Sequence, residues 1–498
     1  MVSASAREEG NVGLPRDELR RRALGGIVIV FTRGVAIAVL SFAGSVVLAR
    51  LLNPHAFGVI AFGMAVVLFG SLVADGGLGA GLIRRTEPPA VEELQALTGF
   101  QLGVTVGLAL VTAAVAAPFG EAGWVTALMV WSLPLAMLQI PGRILLERSL
   151  SYRPLAVVEL AQVLVYNAWA VSLVVLGFGV WGMASATVAM RVVAVLVMAR
   201  VIPAGVVRPL FSWRLIRPLL GFGFRFQATS AMWLARDQGL NVSLAAVAGV
   251  STLGLWSLAN RALQVPSLFL QALFRVSFPT MSQLVAAKED AAPMIERAAG
   301  MVAVGSGILL TGLAGSAPGL FPGIFGEQWR EASEIMPGAC LGVVISAPVA
   351  VSAQGFLYAV GDASAVLRAT TLQTIALFAA TLPLVLALGL PGIGLGFIAA
   401  SVVETYVLRR AILQSAQVDP VRPILAPVAA FVVSAAAGWL VSDLGGADLV
   451  SGFGGGACSV FLFVAFLTIL RRKLLFRTFR FAFASVRAAV GRAPTRIA

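Results

Sequence analysis

The sequence predicts an all-α polytopic membrane protein of about fourteen transmembrane helices, arranged as two six-helix lobes and a C-terminal helix pair. Three observations lead there. The 498 residues are 59% hydrophobic and only 12% charged, with a mean hydropathy of +0.93, which leaves too little polar surface to cover a soluble core. Apolar runs of spanning length follow one another through short connections. Basic residues gather in alternate connections. Fourteen spans of roughly 20 residues use about 280 residues, so the remainder holds no soluble catalytic domain.

The formal charge of +13 raises the question of nucleic acid, because basic patches are the electrostatic footprint for phosphate backbones. Here the charges lie in short segments between apolar runs, as the positive-inside rule demands, and no nucleic-acid partner is expected. Cys340 and Cys458 both fall in apolar segments and His55 is the one histidine. That supply argues against a metal cluster, a disulfide framework or a cofactor.

Residues 1–23 read as a cytoplasmic tail ending in Arg20-Arg21-Arg22. The apolar run that follows is too long for the core of a signal peptide, and Leu48-Ala49-Arg50 is a poor cleavage site, so it reads as a retained first span. An N-lobe, 24–218, holds six spans near 24–49, 56–82, 97–118, 123–142, 155–177 and 180–200. A C-lobe, 219–420, holds six more near 219–247, 253–283, 297–319, 336–357, 365–388 and 391–411. Residues 421–470 carry the last pair, near 424–442 and 449–470, and 471–498 form a basic cytoplasmic tail. With the N-terminus inside, 28 of the 36 basic residues fall in cytoplasmic tails and connections, and only Arg50 and Arg330 lie opposite. This asymmetry predicts both termini in the cytoplasm.

Around the first outer turn the chain reads Leu48-Ala49-Arg50, Asn53-Pro54 and Phe57-Gly58, and the second span closes with Asp75-Gly76-Gly77 and Arg84-Arg85. Phe57-Gly58-Val59-Ile60-Ala61 has a weak counterpart in Leu253-Gly254-Leu255-Trp256-Ser257, each opening the second helix of a six-helix group, which suggests two related lobes. The connection at 319–336 carries Phe321, Phe325 and Trp329 at helical spacing, the pattern of an amphipathic segment lying on the membrane surface. Pro134, Pro266 and Pro348 fall within spans and predict kinks. Basic and aromatic residues after Leu470 suit either a segment on the anionic cytoplasmic leaflet or a topogenic tail.

Charges inside spans are expensive and mark candidate sites. In span seven Gln227, Ser230, Asp237 and Asn241 recur at helical spacing, and in span eight Arg261, Gln264, Gln271 and Arg275 repeat the same steps. Two readings stay open. The stripes either line a wet cavity or join helices by hydrogen bonds, with Asp237 neutralising an arginine. Arg236 lies about 100° around the helix from Asp237 and need not face the same site. Arg33 and Arg261 have no acidic residue three or four positions away, which favours the cavity for them. Arg225, Arg275 and Arg191 lie nearer helix ends and could snorkel. Excess positive charge in a low-dielectric cavity selects an anion, since guanidinium forks match phosphate. Asp75 could cap a helix, pair with Arg84 or Arg85, or serve with Asp237 in ion coupling; Glu404 reads as satisfied by Arg409 and Arg410.

The segments ARLLNPHAFGVIAF, ADGGLGAGLIRR, ILLERSLSYRPLAVVE and GLWSLANRALQVPSLFLQALFRVSFPTMSQL, in this order, resemble the oligosaccharide (O-antigen/exopolysaccharide) flippase branch of the multidrug/oligosaccharidyl-lipid/polysaccharide exporter superfamily. The resemblance covers nearly the whole chain to about residue 410. It implies alternating access around a central cationic cavity, and transfer of a polyprenyl-diphosphate-linked oligosaccharide from the inner to the outer leaflet of a bacterial cell inner membrane. It implies no catalysis, a working environment of membrane lipids, and a partnership with polysaccharide polymerase machinery. Arg33 best matches the family's diphosphate-binding arginine of the leading helix, and Arg50 matches only the arginine before the outer turn. The substrate site expected on these grounds comprises Arg33, Arg236, Asp237, Asn241, Arg261, Gln264, Gln271 and Arg275, with Asp75 and Asp237 as ion-coupling candidates. A polymerase or ligase using the same lipid-linked substrate, and a small-molecule exporter, are the rival readings; the short outer connections disfavour the first.

Overall fold

A lipid-facing chain must satisfy its backbone hydrogen bonds within each segment, so long apolar runs become helices. The computed structural model, which describes residues 16–84, 87–149 and 151–490, is helical throughout, with no strand among the described residues. The chain runs α1 (Arg16–Leu51), α2 (Pro54–Asp75), α3 (Leu78–Arg84), α4 (Val91–Ala114), α5 (Gly120–Val130), α6 (Ser132–Met137), α7 (Ile140–Arg148), α8 (Tyr152–Leu173), α9 (Val180–Val201) and α10 (Trp213–Ala248). It continues through α11 (Val250–Ala286), α12 (Ala292–Phe325), α13 (Met336–Ala359), α14 (Ala363–Leu388), α15 (Leu390–Ser415), α16 (Leu425–Leu444) and α17 (Leu449–Val490). Among the described residues, eleven helices are long and apolar enough to cross a membrane, twelve when one bent pair counts as a span. The expected seventh and eighth spans correspond to α10 and α11, which are outside that count.

Packing separates the chain into two units. The first extends to Leu52 and includes Val59–Asn241; the second comprises Asn53–Gly58 and continues from Val242. In the first, Leu78, Leu82, Leu97, Ile144 and Ile216 form part of a core in which α3, α4, α7 and the start of α10 meet. In the second, Ile295, Ala299, Val349, Leu357, Ala369 and Leu408 join α12 to α15.

Local sequence explains where the helices stop. Asn53 Oδ1 accepts the Ala56 N–H at 2.9 Å, and Pro54 follows as the first helical residue, a capped start for α2. The expected second span to residue 82 ends instead at Asp75, because Gly76 and Gly77 adopt φ of +51° and +69° before α3 begins. The expected fourth span is likewise broken: α5, with Pro134-containing α6, bends by 45° against α7, which starts at Ile140-Pro141. The last span runs into a bend at Arg471, where φ is −144° and ψ 47°.

The outer segment at 319–336 differs from expectation. The helix α12 continues to Phe325, and a 3-10 stretch, Glu327–Ile335, follows. Phe321, Phe325 and Trp329 are all buried, and Trp329 packs edge-on against Phe57 with ring centroids 4.9 Å apart. The aromatic spacing that suggested a surface anchor therefore serves the interior of the second unit. The weak repeat acquires a physical meaning in the same unit. A Cβ at Gly58 would lie 1.8 Å from the Val250 carbonyl oxygen, and one at Gly254 would lie 1.8 Å from that of Pro54.

Candidate substrate-binding site

In the first unit α1 packs along α8. Gly44 makes room for this approach, since a Cβ there would clash with the Asn167 side chain, while Asn167 Nδ2 donates to the Val163 carbonyl at 2.9 Å. Arg33 and Gly44 are eleven residues apart, about three turns, and so share a face of α1. That face brings Arg33 to α8, where its Nε lies 3.2 Å from Glu159 Oε2. Glu159 Oε1 also accepts from Arg143 Nη2 at 3.1 Å, and Arg143 Nε lies 3.3 Å from Glu147. One α8 turn on, Gln162 Nε2 donates to Gln139 Oε1 at 3.0 Å.

Arg33 is therefore ion-paired, contrary to the expectation built on its helical neighbours. Its partner comes from a different helix, which spacing along α1 cannot reveal. The Arg33 and Glu159 side chains are 21% and 22% exposed, so the pair is screened only in part. The pairing leaves donors over. Arg33 Nε faces Glu159 Oε2 at 3.2 Å as an ion pair without hydrogen-bond alignment, and the Nε of Arg191, on α9, is likewise buried with no hydrogen bond among the described residues. A buried guanidinium N–H without an acceptor is costly, and an incoming anion relieves it.

Glu159 and Arg143 were missed by sequence reasoning. Glu159 is the only carboxylate between Tyr152 and Val201, and an isolated acid in an apolar run was the available signal. Arg148, also basic, is structural: it donates to the carbonyls of Leu82, Ile83 and Glu87 at 2.8, 3.1 and 2.9 Å and closes the end of α3.

The remaining candidates are placed as follows. On α10, Gln227 Nε2 donates to the Leu72 carbonyl at 3.2 Å, so this member of the polar stripe joins helices. Arg236 is half-buried, Asp237 is exposed, and Asn241 Nδ2 donates to Gln238 Oε1 at 3.0 Å. On α11, the Arg261 guanidinium carbon lies 5.8 Å from the centroid of Phe57, a cation–π approach, while Gln264 and Gln271 are exposed. The side chains of Arg225, Ser230 and Arg275 lie outside the described residues, as does Arg85. Among the described residues Arg33 is thus joined to Glu159, and through it to Arg143, two residues outside the expected site.

The other acids resolve too. Asp75 Oδ2 accepts the Gly77 N–H at 3.2 Å, a turn-forming contact. Glu404 accepts from Gln373 Nε2 at 2.7 Å and from Gln354 Nε2 at 3.5 Å, so two glutamines on α13 and α14 solvate it. Arg409, one of its expected partners, instead forms a two-pronged pair with Asp419, at 2.9 and 2.7 Å. That bond holds the Asp419 carboxyl below its ordinary value of 3.8.

Long apolar helices in this order define a multi-pass membrane protein, and its fold is shared with solved transporters. A structure described as the lipid II flippase MurJ in an inward closed conformation superposes with a TM-score of 0.69 over 90% of this chain and 100% of that chain, at 12% identity. An inward-facing multidrug resistance MATE family transporter of the MOP superfamily superposes at 0.55 over 79% and 99%, at 15% identity. Residues 47–334, more than half of the chain, match the family described as polysaccharide biosynthesis protein, and the chain belongs to that family.

Two curated relatives are similar to it. The succinoglycan biosynthesis transport protein ExoT of Rhizobium meliloti (strain 1021) is 25% identical over 323 residues, 61% of this chain and 64% of that protein. The lipopolysaccharide biosynthesis protein WzxC of Escherichia coli (strain K12) is 23% identical over 347 residues, 65% of this chain and 67% of that protein. The aligned part thus spans just under two thirds of the Rhizobium relative.

Proposed function

We propose that this chain is a flippase that carries polyprenyl-diphosphate-linked oligosaccharide repeat units from the inner to the outer leaflet of a bacterial cytoplasmic membrane for surface polysaccharide synthesis. The family, a curated relative named as a transport protein and the fold of a lipid II flippase support transport of such a lipid. The observation that carries the reading is the pair of buried Nε groups on Arg33 and Arg191, neither of them hydrogen-bonded among the described residues, although Arg33 Nε stands 3.2 Å from Glu159 Oε2 as an ion pair. A diphosphate offers the acceptors these donors lack, and its charge competes with Glu159 for Arg33.

In this reading Arg33, Arg236, Arg261 and Arg275 take the diphosphate, and Asn241, Gln264 and Gln271 bond to sugar hydroxyls. Alternating access of two lobes, 24–218 and 219–420, moves the headgroup while the prenyl tail stays in lipid. Asp237 and Asp75 are the candidates for coupling to an ion gradient. Both termini face the cytoplasm, and a polysaccharide polymerase takes up the delivered units.

In a strain lacking the native protein, a chain carrying Arg33→Ala and Arg261→Ala is expected to export at least about tenfold less surface polysaccharide, the loss of one charge-assisted hydrogen bond or more. Undiminished export would overturn the assigned roles. Chain growth when the purified protein meets lipid-linked repeat units would make it a polymerase, and drug efflux in place of polysaccharide export would make it a small-molecule exporter.

A further inference from the structure

Away from the Arg33 cluster, the second unit holds a cavity of about 880 Å³. It opens where the start of α12, the α15–α16 connection at Pro423 and the bend of α17 come together. Among the described residues Arg297, Arg471, Arg472, Lys473 and Arg480 line it against a single acid, Glu296. None of the five cations forms an ion pair among the described residues. The helix break at Arg471 turns three consecutive basic residues into this notch at the end of the apolar run of α17. Arg472 is held by its guanidinium carbon lying 5.4 Å from the Phe476 ring centroid. Behind them the wall is close: a Cβ at Gly300 would meet Leu474 Cδ1 at 2.7 Å and Pro423 at 3.6 Å.

Two features of the lining select the ligand. Ile469 and Leu470 stand on its rim 83% and 51% exposed, apolar surface that a free anion would not use and an acyl chain would cover. Among the described residues the lining also holds no Asn, Gln, Ser, Thr, Tyr or Trp, the neutral donors, acceptors and rings that sugar recognition needs. Uncompensated cations beside exposed aliphatics, without sugar-binding groups, fit an anionic phospholipid rather than a sugar-bearing diphosphate lipid. Basic pockets between spans on the cytoplasmic side take such headgroups, and the positive-inside count places this end of α17 there. We propose that the notch of α12 and α17 holds the phosphate headgroup of an anionic phospholipid of the cytoplasmic leaflet, with its acyl chains along Ile469 and Leu470.

Native mass spectrometry of the purified full-length protein, titrated with phosphatidylglycerol, phosphatidylethanolamine or undecaprenyl diphosphate, tests this. Phosphatidylglycerol should bind at least about tenfold more tightly than phosphatidylethanolamine. The triple variant Arg297→Gln, Arg472→Gln, Lys473→Gln should weaken it by about fivefold per charge removed. The variant Arg297→Lys, Arg472→Lys keeps the charges and should retain the lipid, which separates loss of binding from loss of fold. Equal binding of the two phospholipids, or a triple variant that binds like the parent, would overturn the proposal. So would undecaprenyl diphosphate that displaces phosphatidylglycerol at equal concentration and is lost in the same variant, which would give the notch to the transported lipid. Because nothing is transported in this measurement, its outcome stands apart from that of the flippase reading.

Discussion

At the residue scale, Glu159 is the point where loss of one side chain is felt most, because two guanidiniums depend on it. Glu159→Gln removes the charge and keeps the shape, so Arg33 is left partly buried without a carboxylate, at a cost of about 1–3 kcal/mol. Thermal unfolding in detergent should show the loss. The double variant with Arg33→Gln should recover part of it; a cycle with no coupling would mean the pair contributes nothing to stability. A second residue-scale prediction concerns pH. Hydrogen bonding from Arg409 lowers the Asp419 pKa, so the ion pair adds stability that is full above the unfolded value of 3.8 and drains away as pH falls through the lower, folded value. Hydrogen exchange across 416–424 should rise below about pH 4 in the parent, whereas Asp419→Asn should show raised exchange already at neutral pH. Both pairs illustrate the limit of reading along one helix. Charges inside spans were legible as costly and therefore either paired or wetted, and from sequence Arg33 reads as wetted; Glu159 for Arg33 and Asp419 for Arg409 are supplied by other segments, and i±4 arithmetic is blind to them.

At the element scale, helices follow hydropathy, and the apolar runs expected from sequence reappear as α1 to α17 with shifted ends. What composition could not place were the breaks, because they depend on glycine conformations and close approaches. The double glycine after Asp75 ends α2 by positive φ, and Phe321, Phe325 and Trp329 turn inward because a core awaited them. Hydropathy records that such rings avoid water and is silent on whether lipid or protein receives them. The approach of Gly58 and Gly254 is a sharper case, since the faint sequence repeat marked the two positions without showing that each meets backbone from the other's helix. Gly58→Ala or Gly254→Ala should cost at least about 2 kcal/mol through forced backbone shifts. Gly103→Ala, where nothing lies within 4 Å of the added atom, should be neutral or stabilise by roughly 0.5–1 kcal/mol as a helix-interior glycine is removed. Unfolding midpoints of the three variants would decide it, and equal effects would mean the close contact is not a constraint.

At the scale of the whole molecule, the arginine and lysine count makes a claim about direction that the helices alone do not carry. The proposed orientation puts 28 of the 36 basic residues on the cytoplasmic side, and with them the proposed loading leaflet, the notch of α12 and α17 and both termini. A single helix can test it, because α16 runs from a connection carrying Arg422 to a last turn carrying Asp443, with Asp448 in the connection beyond. Its 20 residues rise about 30 Å, one hydrocarbon thickness, so its two ends cannot share a side. With Cys340 and Cys458 replaced by alanine, Asp443→Cys should react with a membrane-impermeant maleimide in intact cells, and Arg422→Cys only after the membrane is opened. Both side chains are exposed, so reactivity reports the side rather than burial. The reversed pattern would turn the basic connections outward, take the notch away from the cytoplasmic leaflet, and leave an inner-to-outer flippase without its substrate on the loading side.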